Sequence, residues 1–386
     1  MIVRYQNAKL IDARGDRFGD LYVEDGLIRY CGETGNQYSD RTIDVKGKAI
    51  LPAFIDLHCH LRDPGYPNKE TMETGMRAAL KGGYAMLCAM ANTNPVITTP
   101  ALVEDNHKKA QRLGLCKLMQ AAAAGENLDD EVSTDREALS RVTGMLTNDG
   151  KTIFSDDFMR ELLLDSKRYG FLISTHCQPE RKIVARDIAL LREVGGNLHV
   201  GHISHAETVA LIRRAKEENL MLTCEVTPHH LFGYDDGYKV NPPLRTQADA
   251  AALIAGIRDG TVDCLATDHA PHTEEDKRNG MAGISNIEYA VSIFLAVFHE
   301  HNIPLTRLAD LTSYAPARRL GIKAGLLAPG YPADVVVLDT EEVYEIKKED
   351  MVSKSHNTPF EGRKVRGRIL KTIVEGETRY EYGQAL

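Results

Sequence analysis

The stretch Ile55-Asp-Leu-His-Cys-His-Leu-Arg62 is an apolar run in which a polar side chain returns at every second position. Alternate side chains of a β-strand point to the same side, so His58 and His60 project together while Cys59 faces away from them. Two imidazoles on one side of a strand make half of a metal site. Two surface histidines, or two histidines with hydrogen-bond partners in a core, would give the same pattern, and the motif alone does not separate these interpretations.

Outward from this stretch, between residue 49 and about residue 325, short apolar runs alternate with longer segments of helical periodicity. The strand candidates are residues 49–56, 84–90, 117–123, 151–155, 171–175, 198–201, 220–226 and 262–266. The helix candidates are residues 68–81, 101–113, 135–146, 157–168, 181–194, 205–218, 246–258 and 286–300. Eight such pairs predict an α/β fold with a (β/α)8 barrel of the TIM type, whose active site lies at the carboxyl ends of the strands.

The two flanks, residues 1–50 and 326–386, hold short alternating strands with turn signals such as Glu24-Asp-Gly26. They predict one small β-sandwich domain formed by both ends of the chain, beside a catalytic barrel of residues 51–325. Two separate terminal appendages are the alternative.

Imidazole or carboxylate side chains end several of the predicted strands. The fifth, sixth and eighth strands end in His176, His202 and Asp268, and the fourth ends in Ser155-Asp-Asp157. A ligand set of imidazoles and carboxylates without a thiolate suits a catalytic Zn²⁺, or a pair of divalent ions, with an open position for water. A metal of this kind supplies hydroxide at neutral pH, which favours hydrolysis over redox chemistry. Asp268 is the best candidate for the general acid and base, and a role as ligand alone is its alternative.

Charge and hydropathy exclude several classes of function. The chain has 47 basic and 55 acidic residues, a net charge of -8 and no long run of either sign, so nothing predicts binding to nucleic acid or to a membrane. No signal peptide or long apolar segment stands out, and seven scattered cysteines without CxxC pairs look like reduced core residues. We therefore expect a cytoplasmic protein.

Motifs in family order along nearly the whole chain resemble those of the bacterial type I dihydroorotases of the amidohydrolase superfamily. The segments that carry the resemblance are Asp56-Leu-His-Cys-His-Leu-Arg-Asp-Pro-Gly65 with Lys69-Glu-Thr71 and Glu73-Thr-Gly75, Asn92-Thr-Asn-Pro95, Phe154-Ser-Asp-Asp157, Thr227-Pro-His-His-Leu231, Asn241-Pro-Pro-Leu-Arg245, Ala266-Thr-Asp-His-Ala-Pro-His272 with Lys277, Ala333-Asp-Val-Val-Val337 and Asn357-Thr-Pro-Phe360.

The resemblance implies one or two Zn²⁺ per subunit and a set of six metal ligands. These are His58, His60, Asp157, His176, His202 and Asp268. Of the two adjacent aspartates, the second matches the family's ligand. Hydantoinases, allantoinases and other dihydroorotases are similar, but they carry a carboxylated lysine at the end of the fourth strand. Two departures from the family pattern are Ala91, where proline is usual, and Gln178, where an acidic residue is common.

The substrate implied by the resemblance carries a carboxylate. Arg62, two residues beyond His60 on the same side, can bind it through two parallel hydrogen bonds. The further substrate contacts that the resemblance implies are His60, Asn92, Asn241, His272 and backbone groups near Ala282 and Gly283. For Asn241, a turn residue before two prolines is the alternative. Residues 274–283 are expected to form a loop that orders over the mouth when substrate binds.

The activity that follows is the reversible cyclisation of N-carbamoyl-L-aspartate to L-dihydroorotate by metal-bound hydroxide, with Asp268 as acid and base, in pyrimidine synthesis. Another cyclic amidohydrolase, such as an allantoinase or hydantoinase, is the second hypothesis. A catalytically dead scaffold that supports aspartate carbamoyltransferase is the third, and the retained ligands argue against it. The expected partner is a small-molecule substrate, while a homo-oligomer and an association with aspartate carbamoyltransferase are left open.

Overall fold

The structure, a computed structural model, describes residues 1–33, 35, 37–234 and 237–384. Its first strands belong to a sheet that both ends of the chain build. They are β1 (Ile2–Asp12), β2 (Gly15–Glu24), β3 (Leu27–Gly32), β4 (Arg41–Asp44) and β5 (Ala49–Pro52).

The centre of the molecule is made of short, buried strands that pair in parallel. They are β6 (Phe54–Cys59), β7 (Tyr84–Ala89), β8 (Lys117–Gln120), β9 (Ala122–Ala123), β10 (Met145–Thr147), β11 (Leu172–Thr175), β12 (Leu198–Val200), β13 (Leu222–Val226) and β14 (Cys264–Leu265). One sheet has the order β6-β7-β8, and the other runs from β9 to β14 in chain order. Near-continuous apolar runs are the expected composition of strands that are covered on both faces.

Two features join the edges of these sheets. Ala121 alone separates β8 from β9, and its amide extends the β7–β8 ladder by donating a hydrogen bond of 2.9 Å to the carbonyl oxygen of Ala89 in β7. After β14, His269 forms a parallel bridge with Cys59 of β6. The carboxyl ends of the central strands therefore lie close to one another.

Helices follow most of the central strands. They are α1 (Met72–Lys81), α2 (Pro100–Leu113), α3 (Arg136–Ser140), α4 (Asp156–Tyr169), α5 (Glu180–Val194), α6 (Ala206–Glu217), α7 (Pro228–Phe232), α8 (Gln247–Asp259), α9 (Glu274–Arg278), α10 (Ala290–Glu300), α11 (Leu305–Ala309) and α12 (Ala315–Arg319). Within the described part of the chain, none of these helices is long and apolar enough to cross a membrane. The seven cysteines are free thiols, and six of them are buried.

The fourth βα unit differs from the sequence-based prediction. Residues 135–146 were expected to be helical, but α3 is only five residues long and β10 follows it at Met145–Thr147. Residues 151–155, where the strand was expected, lie in a loop that leads to α4. A short apolar run such as Met145-Leu146 fits helical and strand periodicity equally well, so the prediction placed the strand end eight residues too late.

The sheet at the flanks is completed by strands from the end of the chain. They are β15 (Val335–Glu345), β16 (Lys364–Val374) and β17 (Glu377–Glu381). The strand order is β17-β16-β15-β5-β1-β2-β3, with β4 beside β1. The two flanks therefore share one sheet, and β15 pairs antiparallel with β5, which directly precedes β6. The β-sandwich and the domain boundaries stay predictions.

Candidate metal centre and active site

Five of the six expected ligands lie together where the central strands end, and all five are buried. They are His58 and His60 at the end of β6, His176 after β11, His202 after β12 and Asp268 after β14. Nε2 of His60 lies 3.1 Å from Oδ1 of Asp268, and Nδ1 of His176 lies 2.9 Å from Nε2 of His202. Because parallel strands carry their carboxyl ends to the same edge, residues distant in sequence converge there.

The carboxylate at the centre of this cluster belongs to Asp149, two residues after β10. Its Oδ1 lies 3.3 Å from Nε2 of His58 and 3.3 Å from Nε2 of His202, and its Oδ2 lies 3.4 Å from Nε2 of His60. Burial alone would raise the pKa of the Asp149 carboxyl, but the adjacent imidazoles, His58 first among them, hold that pKa well below its usual range. Asp149 is therefore ionised and faces histidines from several strands.

The expected ligand Asp157 lies elsewhere. Ser155 caps α4 by accepting a hydrogen bond from the amide of Phe158, and Asp157 falls in the first turn of that helix. The Asp157 side chain is 92% exposed and pairs with Arg160 at 2.8 Å. A carboxylate in a first helical turn is stabilised by the exposed amides of the helix start, which explains its place without a metal. The structure thus places Asp157 outside the cluster, whereas Asp149, after β10, lies within it.

The donor set fits a divalent cation. Two groups of side chains, each with ligand atoms within 4.8 Å of one another, share Asp149: one with His58 and His60, the other with His176 and His202. The buried Nε2 of His58 has no hydrogen-bond partner within the described residues, although carboxylate oxygens lie 3.3 and 3.7 Å away. A buried imidazole nitrogen without a hydrogen bond, beside carboxylate oxygens and further imidazoles, belongs to the donor set that a divalent metal ion takes.

A buried carboxylate, Glu225 of β13, supports the histidines from behind. Its Oε1 lies 2.7 Å from Nδ1 of His58 and accepts a 3.2 Å hydrogen bond from the amide of His202, while its Oε2 lies 3.0 Å from Nε2 of His199. With Nδ1 of His58 donating to Glu225, Nε2 is left to face the cluster. A carboxylate that orients a metal-binding imidazole in this way raises its basicity and fixes its tautomer.

An open cavity of about 240 Å³ leads to the cluster. The side chains and backbone that line it are His60, Arg62, Asn92, Asp149, Gly150, His176, Asn241, Asp268, Ala270, His272, Met281, Ala282 and Gly283. Each of the residues expected to contact substrate is in this lining. The structure therefore brings those residues and four members of the cluster into one cavity.

Arg62 gives this cavity a fixed positive charge. Its Nε donates to the carbonyl oxygen of Pro271 at 3.2 Å, and its Nη2 lies 3.2 Å from Nε2 of His272. Burial, together with Arg62 and Lys69, lowers the pKa of His272 to about 3. His272 is therefore neutral and can accept a hydrogen bond from the guanidinium.

Two asparagines link the cavity wall to the cluster. Oδ1 of Asn92 lies 2.8 Å from Nδ1 of His60, and Nδ2 of Asn241 lies 3.1 Å from Nε2 of His176. Gln178, which departs from the family pattern, donates from Nε2 to Oδ1 of Asn241 at 2.8 Å. Gln178 thus takes part in a hydrogen-bonded chain that ends on an imidazole of the cluster.

A model described as "Amidohydrolase family" matches residues 49–379, which is most of the chain. The chain belongs to the amidohydrolase family. Two similar curated proteins are named dihydroorotase. The one from Caldanaerobacter subterraneus subsp. tengcongensis is 37% identical and covers 99% of this chain and 98% of its own. The one from Clostridium botulinum is 34% identical, and the match covers 97% of this chain and 98% of that protein.

Solved structures share the fold of this amidohydrolase. An L-hydantoinase (dihydropyrimidinase) from Arthrobacter aurescens superimposes with a TM-score of 0.92 at 24% identity over 100% of this chain and 97% of that one. A dihydropyrimidinase from Brevibacillus agri gives a TM-score of 0.90 at 22% identity, and the match covers 100% of this chain and 96% of that one. At these identities the likeness establishes the architecture alone.

Asp149 and Glu225 of this amidohydrolase were not among the site residues predicted from the sequence. Asp149 stands in Thr147-Asn-Asp-Gly150, a turn-like segment directly after an apolar run, and that composition marks a strand end. Glu225 is a charged residue inside the apolar run 222–226, where a carboxylate needs a buried partner. Both signals are local and could be read from sequence.

Proposed function

We propose that this amidohydrolase is a dihydroorotase, which interconverts N-carbamoyl-L-aspartate and L-dihydroorotate in pyrimidine synthesis. One observation carries the proposal: the guanidinium of Arg62, a group suited to a carboxylate, lines the same cavity as four residues of the cluster, namely His60, Asp149, His176 and Asp268. The names of the relatives at 34% and 37% identity support it. A further support is Asp149 at the end of the fourth strand, since the nearest lysine, Lys151, is exposed.

For the metal we propose Zn²⁺, one or two ions per subunit, because imidazole and carboxylate donors suit this ion. The residues that would hold it are His58, His60, Asp149, His176, His202 and Asp268. When bound, the ion would polarise the amide carbonyl and make water a better nucleophile at neutral pH. Positioning of the substrate and proton transfer fall to the side chains around it.

Asp268 is the residue that we propose for proton transfer. Burial would raise the pKa of its carboxyl, but the hydrogen bond from His60 and the other imidazoles hold that pKa below its usual range. The carboxylate is therefore ionised and can accept a proton from the attacking water. It then returns this proton to the departing ring nitrogen, and the same transfers run in reverse when the ring closes.

Substrate orientation is assigned to the wall of the cavity. Arg62 would take the carboxylate in two parallel hydrogen bonds, and neutral His272 would sit beside it. The carboxamides of Asn92 and Asn241 offer both donors and acceptors to the same end of the substrate. Backbone groups of Ala282 and Gly283 would meet the ring amides.

We further propose that the two central sheets close into a (β/α)8 barrel. Two features support closure, because each joins one pair of sheet edges: β8 continues into β9 through Ala121, and His269 forms a bridge with Cys59. A small β-sandwich of residues 1–50 and 326–386 would stand beside a barrel of residues 51–325. A cytoplasmic location fits this enzyme.

The test is turnover of L-dihydroorotate by the zinc-loaded protein, compared with turnover of hydantoin and allantoin. We expect activity on dihydroorotate alone, and activity only on another ring would refute the proposal. Asp149→Asn should lower kcat/KM on the order of 100-fold or more, because a direct ligand should matter at least as much as a residue that supports one. Asp157→Asn is the matched control and should leave both kcat/KM and zinc content unchanged.

A further inference from the structure

Lys277 stands at the edge of the cavity, in the segment of residues 274–283, which we call the lid. Its ammonium group has three N–H donors, and each one meets a backbone carbonyl oxygen. These oxygens belong to Lys239 at 2.8 Å, Met281 at 2.9 Å and Gly283 at 2.9 Å. Surface lysines normally donate these hydrogen bonds to water, whereas Lys277 donates them to the backbone.

The three carbonyls come from two segments. Met281 and Gly283 belong to the lid, whereas Lys239 lies in residues 237–241, which we call the mouth loop and which ends at Asn241. The amide of Gly283 also donates to the carbonyl oxygen of Lys239 at 3.1 Å. The ammonium of Lys277 lies 4.2 Å from the centre of the Tyr238 ring, a distance at which cation and ring attract. Lys277 therefore joins the lid to the mouth loop through several contacts at once.

Close packing makes this junction sensitive to small displacements. A Cβ atom at Gly283 would lie 2.5 Å from the carbonyl oxygen of Ala270 and 2.7 Å from Cδ2 of His272. The backbone of the lid thus lies directly against the cavity wall. Three carbonyl oxygens that point at one spot repel each other unless a cation lies between them. Without the ammonium, they would be expected to turn toward water and take Gly283 with them.

Resting on the proposed function, we propose that Lys277 is a positioning residue, which clamps the lid onto the mouth loop and so holds Ala282, Gly283 and Asn241 in place for the substrate. Lys277 does not touch the reacting atoms. Burial and the neighbouring Lys239 lower the pKa of Lys277 to about 8, so the ammonium still has all its donors at neutral pH. The clamp acts on binding, and we therefore expect it to control KM more than kcat.

The first test needs no substrate. Hydrogen exchange of peptides that cover residues 279–284 is compared in the wild type, Lys277→Met and Arg278→Met. Arg278→Met is the matched control, because it removes a positive charge from the lid at an exposed position. We expect exchange on the order of 10-fold faster in Lys277→Met and little change in Arg278→Met. Equal exchange in all three proteins would overturn the proposal.

The second test uses zinc-loaded enzyme and L-dihydroorotate. Lys277→Met should raise KM about 10-fold with kcat within a few-fold of the wild type and with unchanged zinc content. Lys277→Arg keeps the charge, but its planar fork cannot point three donors at one spot, so it should rescue KM only in part. A fall in kcat that follows zinc loss would instead assign Lys277 a general structural role and refute the clamp. If the wild type fails to turn over dihydroorotate, the exchange experiment still decides on the clamp.

Discussion

Glu225→Gln tests whether the buried carboxylate of Glu225 holds the histidines that we propose as metal ligands in place. The carboxylate of Glu225 offers two oxygens to three buried groups: Nδ1 of His58, the amide of His202 and Nε2 of His199. A glutamine of the same shape has one acceptor oxygen, and its NH₂ group would face a ring nitrogen that now donates. At least one buried donor would lose its partner.

The size of the effect follows from these contacts. An unpaired buried donor costs about 1–3 kcal/mol of folding free energy, which should appear in the metal-free protein. Loss of a carboxylate behind a metal-binding imidazole weakens metal binding about 10- to 100-fold, or roughly 1.4–2.7 kcal/mol. Both losses should therefore occur together, although their sizes are set by different interactions.

The assay has two arms. Urea unfolding of the metal-free proteins measures the free energy of unfolding, and competition with a chelator of known affinity measures the zinc dissociation constant. Glu217→Gln is the matched control, since it makes the same chemical change at an exposed position. A zinc dissociation constant within about 3-fold of the wild type would refute the argument that Glu225 orients the His58 imidazole.

Two further predictions concern a charge in the cavity and a charge in the core. Arg62→Lys should raise KM for dihydroorotate about 10- to 100-fold with a smaller change in kcat, because a point charge cannot reproduce two parallel hydrogen bonds. Steady-state kinetics check this, and an unchanged KM would show that the substrate carboxylate binds elsewhere. Asp187 of α5 is buried beside Arg186, and burial raises its pKa from 3.8 to about 6. The folded state therefore holds this proton more tightly than the unfolded state, and the wild type loses stability as the pH rises from about 4 to 6. Relative to the wild type, Asp187→Asn should gain about 2 kcal/mol of unfolding free energy between pH 4 and pH 7, measured by urea unfolding of metal-free protein, and a difference independent of pH would contradict the assignment.

The residues that sequence could place are those at the ends of well-marked strands. His176 and His202 each follow an apolar run too short for a helix and bounded by clear helical segments. Their positions can be predicted without knowledge of the tertiary structure, because the end of the strand determines the edge of the sheet at which the side chain lies. Asp268 was placed in the same way, and the structure brings it beside His60.

The fourth unit could not be placed with the same rules because its elements are very short. β10 has three residues and α3 has five, so neither is long enough for its hydrophobic period to repeat and identify it. The motif Phe154-Ser-Asp-Asp157 then attracted the ligand assignment, although Ser155 followed by two acidic residues is also the ordinary start of a helix. The helix-start pattern at Ser155 would have placed Asp157 in the first turn of α4, where the structure has it.

The two asparagines of the cavity show why metal binding and substrate binding cannot be treated as separate properties of this site. Asn92 contacts the imidazole of His60, and Asn241 contacts that of His176, while both amides also line the cavity. Replacing either one would remove a side chain that we propose contacts the substrate, and it would also free an imidazole to turn. A higher KM in such a variant therefore reports substrate binding only when zinc content is measured on the same sample. Lys277 contacts no side chain of the cluster by any of its three hydrogen bonds, but the mouth loop that it holds carries Asn241, so zinc content must be measured for its variants as well.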